Sequence, residues 1–106
     1  QEFWEKTQNG LIAHFKNGDN ISLAYYDNQG AFLYSVKYFE ESALNNDLHR
    51  RIKKEYPGFQ FDIISEVNNE IKTIFLLTLK NKYTMKSLII DQGEIRVIDD
   101  LNYAGL

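Results

Sequence analysis

Phe15-Lys16-Asn17-Gly18-Asp19-Asn20-Ile21-Ser22-Leu23-Ala24-Tyr25-Tyr26-Asp27-Asn28-Gln29-Gly30 and Leu79-Lys80-Asn81-Lys82-Tyr83-Thr84-Met85-Lys86-Ser87-Leu88-Ile89-Ile90-Asp91-Gln92-Gly93 read as two copies of one pattern. Lys, Asn and Asp recur at a single offset, and the glycine recurs after a one-residue slip. Each copy runs on past its Asp/Gly turn into a strand-like stretch, Ala31-Phe32-Leu33-Tyr34 in one and Glu94-Ile95-Arg96-Val97 in the other. Such a repeat sets the architecture, because each copy is one supersecondary unit that shares a core with its neighbour.

Outward from the first copy, residues 2–7 alternate Phe3, Glu5 and Thr7 against Trp4 and Lys6, the period of a strand. Gln8-Asn9-Gly10 is a turn signal. Residues 11–16 and 21–26 flank Asn17-Gly18, the dipeptide favoured in tight hairpins. Residues 31–39 form a long strand with Phe32, Tyr34 and Tyr38 on one side and Val36 between them. Then the period changes. Leu44, Leu48, Ile52 and Tyr56 fall at steps of four and make one apolar helical stripe. Ser42 or Asn45 is placed to cap it, Asp47 and Lys53-Lys54 suit the two ends of the helix dipole, and Pro57-Gly58 stops it. Four more strands follow at 59–67, 71–80, 83–90 and 94–101, separated by turns short enough to require antiparallel neighbours.

The expected fold is α+β: an antiparallel sheet built from two β-meander repeats, with one helix at about residues 44–56 packed on one face. The chain reads as a single domain, with the first meander in 1–41 and a helix-plus-meander repeat in 42–106. Symmetry predicts a helix ahead of Gln1 as well, so the first-repeat helix is read as missing from this sequence.

Composition bounds the function. The apolar (43%) and charged (25%) fractions are those of a globular protein, whereas 14% aromatic residues is high and suits packed sheet faces. A net charge of −3 argues against nucleic acid, which calls for a basic footprint. The absence of cysteine excludes disulfides, thiolate metal sites and cysteine nucleophiles. No apolar run approaches the ~18 residues that span a bilayer, so no membrane insertion is expected.

The helix ending in Tyr56-Pro57, then Phe61-Asp62-Ile63-Ile64-Ser65-Glu66, then the hairpin strands and Ile89-Ile90-Asp91-Gln92-Gly93-Glu94-Ile95, resembles the PepSY-like proteins. Trp4 looks like the tryptophan that often opens the first meander of that family. Asn45 stands where the family often has proline, and Asp91-Gln92-Gly93 is one residue shorter than Asp27-Asn28-Gln29-Gly30. The resemblance covers nearly the whole chain. It implies a fold like that of β-lactamase inhibitory protein, a periplasmic or secreted location in Bacteroides-type bacteria, and no enzymatic activity. Related PepSY domains occur in metalloprotease propeptides, which makes inhibition an analogy for this chain.

The chemistry-bearing residues are scattered. His14 and His49 lie on different elements with no metal-binding spacing, so no metal and no cofactor is expected. Asp62, Glu66, Asp91, Glu94, Asp99 and Asp100 fall mostly in turns or at strand ends. Asp27 and Asp91 are expected to accept backbone amides within their turns. His49-Arg50-Arg51 and Lys53-Lys54 read as the solvated face of the helix. The strand aromatics are the best binding candidates, because Tyr and Trp combine large contact area with a polar handle. Trp4, His14, Tyr26, Tyr34 and Tyr38 are therefore the candidate binding residues, against the alternative that such aromatics fill the core. The expected function is non-enzymatic binding of a protein or peptide partner through the open sheet face, with inhibition by steric blocking. The rival readings are a structural or self-associating envelope protein, homodimeric through an uncovered half-sheet, a binder of a small hydrophobic ligand, and an enzyme using the carboxylates.

Overall fold

A computed structural model describes residues 2–102. Eight strands form one antiparallel sheet in sequence order: β1 Glu2–Thr7, β2 Gly10–Asn17, β3 Asn20–Asp27, β4 Phe32–Tyr38, β5 Gln60–Asn68, β6 Thr73–Lys80, β7 Thr84–Asp91 and β8 Glu94–Asn102. A 3-10 turn at Glu41–Ala43 and one helix, α1 Asn46–Glu55, connect β4 to β5. The order of four strands, helix and four strands follows from the switch between period two and period four.

The turns differ in detail from expectation. Asn17 pairs with Asn20, so the hairpin loop is Gly18-Asp19 rather than Asn17-Gly18. Gly18 takes φ 64 at the first central position, which is the glycine-first form of a two-residue hairpin. In the β7–β8 hairpin Gln92 (φ 52) and Gly93 (φ 80) both adopt left-handed backbone and close the turn by themselves. The Asp91 carboxylate is therefore not needed within its turn and pairs with Lys72 at 2.7 Å. Asp27, by contrast, accepts from the Gln29 and Ala31 amides at 2.9 Å each, as its turn type requires.

Helix α1 begins two residues later than the 44–56 expectation. The Asn45 side chain accepts from the Asp47 and Leu48 amides and fixes the N-cap, which leaves Leu44 in extended backbone ahead of the helix. Leu44 is buried all the same. With Ile52 it packs onto Ile64, Leu77, Leu79, Leu88 and Ile90, and Phe39, Leu48, Phe61 and Phe75 close the margins. Each fully buried aliphatic side chain here contributes about 1.5–3 kcal/mol. This core lies between α1 and the β5–β8 half of the sheet.

On the same face, the β1–β4 half is built differently. Ala13 and Ala24 pair directly and are buried. Over them runs a ladder of rings, Trp4 to Tyr26 at 5.6 Å and Tyr26 to Phe32 at 5.7 Å. Phe32 belongs to this ladder because the register shifts between Tyr25 and Tyr26: Tyr25 pairs with Tyr34, Tyr26 with Phe32, and Leu33 is the extra residue. That bulge separates Phe32 from Tyr34 and Tyr38, which had been expected on one side with it.

Candidate binding face

Strand alternation and the ladder registers assign every side chain to a face. Leu77, Leu88 and Ile64 mark the face under α1. The neighbouring transverse row, Ile21–Tyr38–Ser65–Leu76–Ile89–Arg96, therefore lies on the opposite face. None of the described elements covers that open face. Along with this row it carries Phe3, Ile12, His14, Leu23, Tyr25, Tyr34 and Val36. Much of this surface is large and accessible: Phe3, Ile21, Tyr34, Tyr38, Ile63, Ile98 and Leu101 are all exposed. Contiguous exposed apolar surface of this kind marks contact sites in folded proteins.

The registers split the five candidate residues. His14, Tyr34 and Tyr38 share the open face, whereas Trp4 and Tyr26 belong to the ring ladder on the helix side. Within the open face, His14 is held from two sides. Its ring stacks on Phe3 at 4.2 Å and 9°, and its Nε2 meets Glu5 Oε1 at 2.8 Å. Tyr25 and Tyr34 stack at 4.5 Å across β3 and β4. Burial pushes the Tyr25 phenol above its ordinary range, and Tyr34, Tyr38 and Glu5 add to the effect by repelling the phenolate. Among these groups Tyr25 and Tyr34 are in direct contact through their stacked rings.

Two further bulges shape the β5–β8 half of the open face. Asp62 and Ile63 together stand opposite Thr78, with the Ile63 amide donating to Thr78 Oγ1 at 2.9 Å. In β8, Val97 pairs with Leu88 and Asp99 with Ser87, so Ile98 is the extra residue. Sequence reasoning missed Ile63 and Ile98 as surface residues. A bulge leaves no mark in the apolar pattern of Asp62-Ile63-Ile64 or Val97-Ile98, and no other signal in the chain picks them out.

The remaining chemistry-bearing residues are engaged in local contacts. His49 stacks on Phe61 and meets Glu41 at 2.7 Å. Arg51 donates to the Gly93 carbonyl, Lys53 lies over the Phe61 ring, and Lys86 reaches Asp100. Among the described residues no group of three His, Asp or Glu side chains is placed to hold a metal ion, and no helix is long and apolar enough to cross a membrane.

Comparison with protein-family models and with curated proteins gives no match. Comparison with solved structures gives a consistent fold. A BLIP-like protein from Bacteroides fragilis aligns with a TM-score of 0.74 at 14% identity, over 95% of this chain and 73% of that one. A DUF2874 family protein from Bacteroides uniformis aligns at 0.75 and 12% identity, covering 95% and 76%. Another DUF2874 family protein, from Bacteroides ovatus, gives 0.75 and 12% identity over 99% and 77%. The chain has a BLIP-like α+β fold: an open eight-stranded antiparallel sheet with one helix on one face.

Proposed function

We propose that this protein is a non-enzymatic binding module that engages a protein partner through the open face of its sheet. The observation that carries the reading is the run of exposed aromatic and aliphatic side chains across that face, uncovered by any described element. Aromatic anchors in such a surface carry most of the binding energy in known interfaces, and Tyr34 and Tyr38 are placed for that role. A periplasmic or secreted location, a PepSY-like origin and an inhibitory mode of action belong to the same reading. It is supported by the fold shared with Bacteroides proteins. The two-meander repeat is part of it too. Leu77↔Leu88 in β6–β7 stands at the same ladder position as Ala13↔Ala24 in β2–β3, each residue 64 positions after its counterpart.

The test is a pull-down from bacterial envelope extract with three baits: wild type, a Tyr34→Ala, Tyr38→Ala double variant, and Trp4→Ala. A partner lost by the double variant and kept by Trp4→Ala supports the open face. A partner kept by the double variant and lost by Trp4→Ala places contact on the helix side instead.

A second reading has its own observation. Trp4 is 57% exposed on the helix side of β1–β4, where α1 does not reach. Self-association through that half-sheet would cover it. Sedimentation of wild type and Trp4→Ala over a range of concentrations tests this: a dimer that dissociates on Trp4→Ala supports it, and a concentration-independent monomer refutes it.

A further inference from the structure

The open face is not evenly flat. Between β5 and β8 it carries a depression of about 300 Å³ whose floor includes Ser65, Thr78 and Ser87, with Leu76 beside them. Thr78 and Ser87 pair directly, so the floor is a patch of small hydroxyl side chains on adjacent strands. The walls are Tyr38, Ile63 and Ile98. Both isoleucines are the products of bulges, one in β5 and one in β8. Strands lie about 4.8 Å apart, so walls on β5 and β8 stand roughly 14 Å from each other with two strands of floor between them. The Ile63 wall is pinned by the hydrogen bond that its amide N–H donates to Thr78 Oγ1. Ile63 and Ile98 are 51% and 55% exposed, so their apolar surface faces the depression and the solvent rather than the core.

Charge at the rim is uneven. Asp62 pairs with Lys80 at 3.0 Å, and Asp99 Oδ1 accepts the Asp100 amide at 3.0 Å. Arg96 shares the transverse row of Tyr38, Ser65 and Leu76 through its pairing with Ile89. Among the described residues its guanidinium has no hydrogen-bond or ion-pair partner. A guanidinium presents a planar fork of donors that matches a carboxylate.

We propose that this depression is the anchor subsite of the open face. It takes one bulky apolar side chain of a protein partner, next to an internal Asp or Glu of the same segment that Arg96 holds. The inference rests on the binding reading above and specifies the chemistry of the partner. A protein segment suits the geometry better than a small molecule, because the depression is open along the sheet and its Tyr38 wall pairs with the exposed Ile21 on β3.

The test is selection of a displayed random peptide library on the folded wild-type domain. Selected sequences are then made as peptides with blocked ends, each with its Asn or Gln counterpart at the acidic position. Affinities are measured on wild type, Ser87→Phe, Ile98→Ala, Arg96→Gln and Tyr34→Ala, each first shown to unfold as cooperatively as wild type. The expected result is enrichment of a bulky apolar residue beside Asp or Glu. Binding is lost on Ser87→Phe, which fills the floor, and weakened on Ile98→Ala, which lowers a wall and stands in if Ser87→Phe does not fold. Arg96→Gln weakens the acidic peptides about tenfold and leaves their amide counterparts unchanged, since a charge-assisted hydrogen bond is lost only in the first case. Selected peptides with no apolar-acidic pair, or indifferent to Ser87→Phe, Ile98→Ala and Arg96→Gln, overturn the subsite. If those same peptides are lost on Tyr34→Ala, the open-face reading survives that result. Selection of no peptide at all counts against both.

Discussion

Exchanging Ile63 and Ile98 together for threonine should cost this fold much less than truncating Leu88 alone. Leu88 is fully buried between α1 and the sheet, in contact with the Leu77, Leu79 and Ile90 cluster. Truncating such a leucine to alanine removes its transfer energy and leaves a cavity, at about 2.7–5 kcal/mol. That is a large share of the roughly 5–15 kcal/mol available to a domain of this size. Ile63 and Ile98 are each about half exposed on the open face. A fully buried isoleucine would supply about 1.5–3 kcal/mol, and a half-exposed one loses only a fraction of that on exchange for threonine. Threonine also keeps the β-branch that suits a strand. The double exchange is therefore expected to cost about 1–2 kcal/mol in total. Urea unfolding followed by tryptophan fluorescence measures both variants, and an unchanged m value confirms a like-for-like comparison. If the double exchange costs as much as Leu88→Ala, the isoleucines are core residues. The open face is then a packed surface, and the binding reading falls with it.

Three further outcomes follow from the geometry. A Cβ on Gly10 would lie 2.0 Å from the Tyr26 carbonyl oxygen, a backbone atom that cannot move without breaking the β2–β3 ladder. Gly10→Ala should therefore cost well over about 1 kcal/mol and show first as faster amide exchange in β2 and β3. Asn45→Ala removes the side chain that caps α1 and should cost about 1 kcal/mol in thermal or urea unfolding. Tyr25 and Tyr56 have phenols raised above 10, chiefly by burial, so their neutral forms are favoured in the fold and their contribution to stability is fully present below pH 10. That contribution is lost as pH rises past 10 and through the raised values. The Tyr25→Phe variant should accordingly show a shallower fall in stability above pH 10 than wild type, and an unchanged slope would contradict the raised Tyr25 phenol.

Element order was legible because the apolar residues change period where the chain changes structure. Leu44, Leu48, Ile52 and Tyr56 at steps of four found the helix, and Pro57-Gly58 found its end. The cap was legible as Ser42 or Asn45, since a short polar side chain ahead of the stripe can accept the first free amides, and it is Asn45 that accepts them. Face assignment was not legible. A side chain's face depends on every bulge between it and a fixed reference, and the bulges at Leu33, Asp62-Ile63 and Ile98 depend on cross-strand pairing rather than on local residue type. For that reason Tyr34 and Tyr38 could be picked out as aromatics of β4 while Phe32 was placed with them in error. For the same reason Trp4 and Tyr26 could not be told apart from His14. The two residues that give the open face its relief, Ile63 and Ile98, read as ordinary strand aliphatics.

The helix side shows why the two functional readings separate cleanly. Under α1, Leu77 and Leu88 stand up from the sheet to meet Ile52, so coverage comes from a second layer. Over β1–β4 the paired Ala13 and Ala24 leave room for Trp4, Tyr26 and Phe32, which meet one another tilted and edge-on, and coverage comes from the sheet's own rings. A ring beside an alanine can shield it while keeping its own outer surface in water, which is how Ala13 can be 1% exposed beside a Trp4 that is 57% exposed. The helix side of β1–β4 is thus satisfied inwardly and available outwardly. On the open face, the relief between β5 and β8 has walls, Ile63 and Ile98, that backbone bulges put there. Self-association on one side and partner binding on the other therefore call on non-overlapping residues. Trp4→Ala and the Ile63→Thr, Ile98→Thr pair should affect oligomeric state and partner binding independently of each other.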